Sequence, residues 1–257
     1  AVNRLVVAIQ SDQSILVVGD YDADGATGSA LAVRGLRDLG ARRVSFLVPS
    51  RFSNGYGMSP AVVEAAHAQG ADLILTVDNG ISSHAAIARA RELGLSVVVT
   101  DHHLPGDVLP EADAIVNPNQ PGCDFPSKHL AGVGVVFYLL AALRGRLREI
   151  GWFGADRPEP NLADRLDLVA LGTVADVVSL DRNNRLLIEQ GLRRLRAGRA
   201  SAGVLALLQV AGRDPARATA ADFGFYVAPR LNAAGRLTEM SLGVECLLTD
   251  DPAQALA

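Results

Sequence analysis

Thiols, lysines and long apolar runs are what this 257-residue sequence has little of. Its two cysteines, Cys123 and Cys246, stand far apart. That excludes a disulfide framework and a thiolate zinc cluster, so any metal bound here is held by oxygen and imidazole. The longest apolar stretches, such as "GVGVVFYLLAAL", fall short of a membrane span, and no basic-then-apolar leader opens the chain. The expectation is a cytoplasmic protein with no membrane partner. Lys128 is the single lysine, all other basic chains being arginine; with alanine and glycine abundant, this reads as a compositional bias of the source before it reads as function. The net charge of −4 neither requires nor excludes a polyanionic ligand, because patches outweigh totals. At 49% hydrophobic and 20% charged residues, the chain suits one large core or two modest domains.

What is present is an alternating plan. Apolar runs bounded by turn residues recur at "ILVVGD", "RVSFLVP", "DLILTVD", "LSVVVTD" and "DAIVNP", and helical stretches separate the first four. This is the βαβ pattern of a parallel sheet. A helix is expected over 25–39, another starting at the Ser59-Pro60 cap, and a third capped by Ser82 or Ser83. From Leu130 onward the spacing is helical without strand partners, with "GADRPEPN" as a connector. The expected architecture is α/β: a Rossmann-like parallel-sheet domain over 1–180, followed by a mainly helical extension over 181–257.

Three of the expected strands end in acid: Asp20, Asp22 and Asp24 after the first, Asp78 after "LILTV", and Asp101 with His102 and His103 after "SVVV". Taken singly, an aspartate after a strand serves equally well as a helix cap or turn residue. In a parallel sheet, however, these ends share the edge at which ligands bind. Convergent carboxylates with a histidine form a ligand set for Mn²⁺ or Mg²⁺. A dication also relieves the repulsion that such crowding creates.

The motifs "DYDADG", "TVDNG", "TDHH" and "LGTVADVV" resemble those of the DHH phosphoesterases. More closely, "VVGDYDADGATG", "VNPNQPGCDFPSKHLAGVGVVF", "LGTVADVVSLDRNNR" and "APRLNAAGR" resemble the RecJ-type exonucleases, in order and over nearly the whole chain. The resemblance implies the catalytic portion of an enzyme that degrades single-stranded DNA from its 5′ end, with two Mn²⁺ or Mg²⁺ ions, in repair and recombination. A single-strand-binding protein and a helicase are the further partners it implies. Carried over position by position, Asp22, Asp24, Asp78, His102 and Asp176 fall where metal ligands lie, with Asp78 between two ions. His103 would contact the scissile phosphate, and Asp101 would orient the histidines. Many DHH enzymes carry a histidine four residues before the first motif aspartate, where this sequence has Val18; Asp20 or water is the candidate replacement. The chemistry expected is in-line hydrolysis of a phosphodiester clamped by two cations.

Arg51 follows the second expected strand and is read as a contact for a 5′-phosphate, since guanidinium forks suit phosphate. By resemblance, Arg230, Asn232 and Arg236 of "APRLNAAGR" belong to the DNA-contacting surface. The run "GLRRLRAGR" reads as a solvated helix face. Two other functions remain open: a DHH phosphodiesterase acting on short oligonucleotides or cyclic dinucleotides, and a non-catalytic replication subunit of the same fold.

Overall fold

A computed structural model describes residues 1–49, 57–237 and 240–257, with the side chains of Arg236 and Leu237 outside the description. The chain opens with α1 (Val2–Gln10), then alternates β1 (Ile15–Gly19), α2 (Ala23–Asp38), β2 (Val44–Leu47), α3 (Pro60–Ala68), β3 (Leu73–Val77), α4 (His84–Glu92), β4 (Ser96–Thr100) and β5 (Ala114–Val116). Thereafter it is helical: α5 (Gly132–Glu149), α6 (Leu166–Ala175), α7 (Arg182–Arg196), α8 (Ala202–Val210), α9 (Ala220–Asp222), α10 (Ala228–Leu237), α11 (Met240–Leu248) and α12 (Pro252–Leu256). A π-helical turn over Phe223–Val227 joins α9 to α10.

All five expected strands are present and pair in parallel in the order β2-β1-β3-β4-β5. Every residue of β1 and β3 is buried, as a parallel sheet covered on both faces requires. Strand alternation divides the core into two layers. Ile15, Val17 and Leu75 face a large cluster that includes Leu31 of α2 and Leu140 of α5. Leu16, Val18 and Ile74 face a smaller one with Val62 of α3 and Ile87 of α4.

Ser59 caps α3 through its side chain, which accepts the Val62 N–H, and Pro60 occupies the first turn. Ser83 precedes α4 without such a side-chain bond. Helix α1 escapes the sequence reading because it opens on Ala1 with no polar cap; packing of Leu5 and Ala8 into the core holds it. The Arg run lies on α7 as an exposed face, opposite buried Leu192 and Leu195. No helix of the described residues is long and apolar enough to cross a membrane.

Candidate metal centre at the C-terminal rim of the sheet

In the order 2-1-3-4-5 the connection from β1 leads to one side and the chain then returns to add β3 on the other, opening a crevice beyond the carboxyl ends of β1 and β3. The acidic loops sit at that switch point. After β1, buried Asp20 accepts the Tyr21 N–H at 2.8 Å. Asp22 is the N-cap of α2 and accepts the Gly25 N–H at 2.8 Å, so the capping explanation holds for one of its oxygens without disposing of the other. Asp24, in the first turn of α2, is buried and accepts the N–H groups of Gly132 at 2.6 Å and Val133 at 3.0 Å. The amino ends of α2 and α5 thus both bear on one carboxylate, where their positive dipole ends favour negative charge.

After β3, Asp78 is held at φ 62°, a left-handed conformation that costs a non-glycine residue about 1–3 kcal/mol. Its N–H bonds to Thr100 O at 3.1 Å, and Asn79 pins the same turn by donating to Val18 O at 3.1 Å and Val77 O at 2.8 Å. Helix α5 approaches so closely that a Cβ on Gly132 would lie 2.6 Å from the Asp78 Cβ, so only glycine fits there. After β4, Asp101 Oδ1 accepts the His102 N–H at 2.7 Å and the His103 ring Nδ1 at 2.8 Å, while its Oδ2 accepts the Ile81 N–H at 3.0 Å. Asn119 and Asn117, beyond β5, donate to the carbonyls of His102 at 2.7 Å and His103 at 2.9 Å. Asp176 arrives from the other layer as the C-cap of α6, followed by Val177 at φ 61° with its side chain exposed.

These groups converge. Ligand atoms of Asp78, His102 and His103 lie within 4.8 Å of one another, as do those of Asp24, His102 and Asp176, and those of Asp20, Asp22 and Asp78. His102 Nε2 is 3.0 Å from Asp78 Oδ1 and 3.5 Å from Asp176 Oδ2. None of those three buried atoms makes a hydrogen bond. Burial, reinforced by Asp22, raises Asp24 to about 7 despite its two backbone donors. Burial and then Asp24 raise Asp176 to about 7. Asp78 is pushed well above the carboxylate range by burial and by Asp24, Asp22 and Asp176. Burial also lowers His102, which keeps its ring neutral and its lone pair available as a ligand. For His103 the hydrogen bond to Asp101 raises the pKa and favours the imidazolium. Burial works to raise Asp101 in turn, but the bonds from His103 and Ile81 outweigh it and hold the carboxyl below its ordinary value.

Buried oxygens without donors, facing a neutral imidazole nitrogen and one another, fit a divalent cation better than any arrangement of protons. The donor set is oxygen and imidazole, as hard or borderline cations require.

The sequence-derived site residues Asp22, Asp24, Asp78, Asp101, His102, His103 and Asp176 are therefore brought to one rim. Val18 is wholly buried in the α3/α4 layer, and Asp20 joins the cluster through the group it forms with Asp22 and Asp78. Asn232 uses Oδ1 to accept the Ala23 N–H at 2.7 Å, which ties α10 to the first acidic loop. Arg230 is exposed and donates to Tyr226 O at 2.6 Å. Arg51 lies outside the described residues, and so does the side chain of Arg236. The supporting residues Asn79, Asn117, Asn119 and Gly132 were not found from sequence. The only signals were polar amides at strand ends and a glycine opening an apolar helix.

Residues 14–173 match the family model "DHH family, N-terminal domain". The chain is 61% identical to the single-stranded-DNA-specific exonuclease RecJ of Dickeya dadantii over 99% of its own length and 44% of that protein. Among solved structures it is similar to an exonuclease RecJ bound to manganese (TM-score 0.85, 40% identity, 99% of this chain and 61% of that one). It is also similar to RecJ of Thermus thermophilus in complex with Mn²⁺ (TM-score 0.81, 38% identity, 99% of this chain and 35% of that one). The chain spans under half the length of the curated relative. With the family model covering more than half of its residues and the motif aspartates gathered at one rim, the chain belongs to the DHH family.

Proposed function

We propose that this chain carries the catalytic site of a metal-dependent exonuclease that hydrolyses single-stranded DNA from the 5′ end, in repair and recombination. The observation that carries the reading is the trio of buried, undonated atoms on Asp78, His102 and Asp176, in a chain 61% identical to a protein named for that activity. Asp22, Asp24, Asp78, His102 and Asp176 would hold two Mn²⁺ or Mg²⁺ ions, with Asp78 shared and Asp20 close enough to assist. Such ions supply Lewis-acid charge to the phosphodiester and lower the pKa of an attacking water.

The protein's own groups do the rest. Asp101 fixes the His103 ring and favours its cationic form, which matches a phosphate oxygen and can deliver a proton to the departing one. Asn117 and Asn119 hold the loop that presents both histidines. The strained turn at Asp78 aims its carboxylate at the crevice instead of along the strand. Asn232 keeps α10 on the first acidic loop, so Arg230 is offered as a cation for the incoming strand, and Arg236, whose side chain lies outside the described residues, is offered from the family resemblance alone. Arg51 is offered likewise for the terminal phosphate.

Residues 181–257 are a helical extension of the same core in this reading, since Leu192, Leu195 and Leu247 share one buried cluster with Leu31 and Leu140. A cytoplasmic location, a single-strand-binding protein and a helicase complete the proposal, because the substrate must be unwound and kept single. The test is digestion of 5′- and 3′-labelled single strands with Mn²⁺, beside a dinucleotide. Release of label from the 5′ end of the long strand is expected, and preference for the dinucleotide would overturn the assignment.

A further inference from the structure

The π-helical turn at Phe223–Val227 is an irregularity of a kind found disproportionately at functional sites. Phe223 is its buried anchor, yet Phe225 is 78% exposed and Tyr226 41% exposed. One turn of helix thus leaves the Phe225 ring largely in water and the Tyr226 ring partly so.

Their position is set by contacts on both sides. Gly224 packs against the last turn of α6, where an added Cβ would lie 3.2 Å from Val174 Cγ1, two residues before Asp176. Further along the chain, α10 rests on the first acidic loop through Asn232 and through Gly235, whose backbone abuts Tyr21 O. The turn therefore packs on α6 and leads directly into the helix that borders the first acidic loop. Val177 presents a further exposed apolar side chain immediately after Asp176. A cation flanks one of the two rings. The Arg213 guanidinium lies 4.4 Å from the Tyr226 ring centroid, braced by its ion pair with Asp222. Exposed Arg230 reaches Tyr226 O.

We propose that Phe225 and Tyr226 form a base-stacking platform for the strand entering the metal centre, with Phe225 as its principal face. The inference rests on the exonuclease reading and adds to it the residues that grip the bases. Aromatic faces interleaved with guanidinium groups are how proteins bind single strands without reading sequence, since every base has a π-face and every nucleotide a phosphate. An exposed guanidinium at Arg230, beside the aromatic turn, suits a phosphate-bearing strand better than a purely apolar partner. Stacking on Phe225 would also hold the chain in single-stranded form, because a base paired within a duplex is not free to leave its neighbours.

The experiment measures, by fluorescence anisotropy in Ca²⁺ with strand integrity checked on a gel, binding of an oligothymidine and of an abasic strand of equal length. The wild-type chain is compared with Phe225→Ala, Tyr226→Ala and Phe225→Trp. Phe225→Ala is expected to weaken oligothymidine binding about tenfold and to leave the abasic strand within about twofold. Phe225→Trp should restore affinity, and its added indole emission should be quenched by the oligothymidine but not by the abasic strand. A wild-type preference for bases that survives both alanine variants overturns the platform and leaves the exonuclease reading standing. Equal losses on both strands overturn it too. So does unchanged oligonucleotide binding with altered self-association, which would give the patch to a protein. A wild-type chain that binds neither strand overturns the exonuclease reading itself.

Discussion

At the N-terminal rim of the sheet, Asp72 accepts the Ser14 N–H at 2.7 Å, Asp113 accepts the Val97 N–H at 2.7 Å, and Asp12 pairs with Arg42 at 2.9 Å. At the C-terminal rim Asp78 and Asp176 each keep a buried oxygen with no donor, and Asp24 is raised to about 7 although it has two. Both rims are acidic, but only one is crowded. The first spends its aspartates on strand starts and turns, each beside its own partner. The second sets carboxylates from β1, β3 and α6 against one another, a configuration that lowers stability unless a cation enters. Acidity alone does not mark a site; convergence without partners does.

The comparison is broken most forcefully at Asp78. Replacing it by asparagine removes an ionisable carboxyl whose charge burial and four neighbouring aspartates oppose, so the chelated protein is expected to gain thermal stability. The same change is expected to remove stabilisation by Mn²⁺ and to bring strand hydrolysis to background. Scanning calorimetry with and without Mn²⁺ reads the first two, and release of labelled nucleotide the third.

A second effect is the pH dependence of the chelated protein. Asp24 and Asp176 bind protons up to about 7 in the fold, whereas in the unfolded chain they ionise near their ordinary 3.8. Between those values the folded state holds more protons, so stability falls as pH rises through the window, by a few kcal/mol. Urea melts in a chelator at pH 5 and pH 7.5 should show this loss, and Mn²⁺ should reverse it at the higher pH.

Smaller still is Asp101→Asn. It loosens the His103 ring and removes the cause of its raised pKa, and outer partners of this kind are worth about 10–100-fold in activity or metal affinity. Steady-state rates against pH should show the basic limb moving to lower pH. Least of all, Asp72→Asn at the opposite rim should cost about 1 kcal/mol in a urea melt, for one weakened hydrogen bond to Ser14, and leave hydrolysis unchanged.

How much of this was legible in the sequence follows the same division. The five strands were readable because β-branched runs ended at turn residues, and the acids at their ends were readable because parallel strands finish on one side. Asp176 was not, since it enters from a helix end far along the chain and only the family resemblance pointed to it. The clamp on Asp24 by the amino end of α5 was hidden for a different reason. Backbone N–H groups carry no residue identity, and Gly132 declares itself only when Asp78 is seen beneath it. Strain at Asp78 and Val177 is a property of φ, which side-chain pattern does not encode.

The most direct test is calorimetric titration of Mn²⁺ into the chain near pH 7, in two buffers of different ionisation enthalpy. Binding is expected to expel protons from Asp24 and Asp176 and to vanish in Asp78→Asn. Heats that show no binding, or binding that Asp78→Asn leaves intact, would contradict the claim that cations hold this rim together.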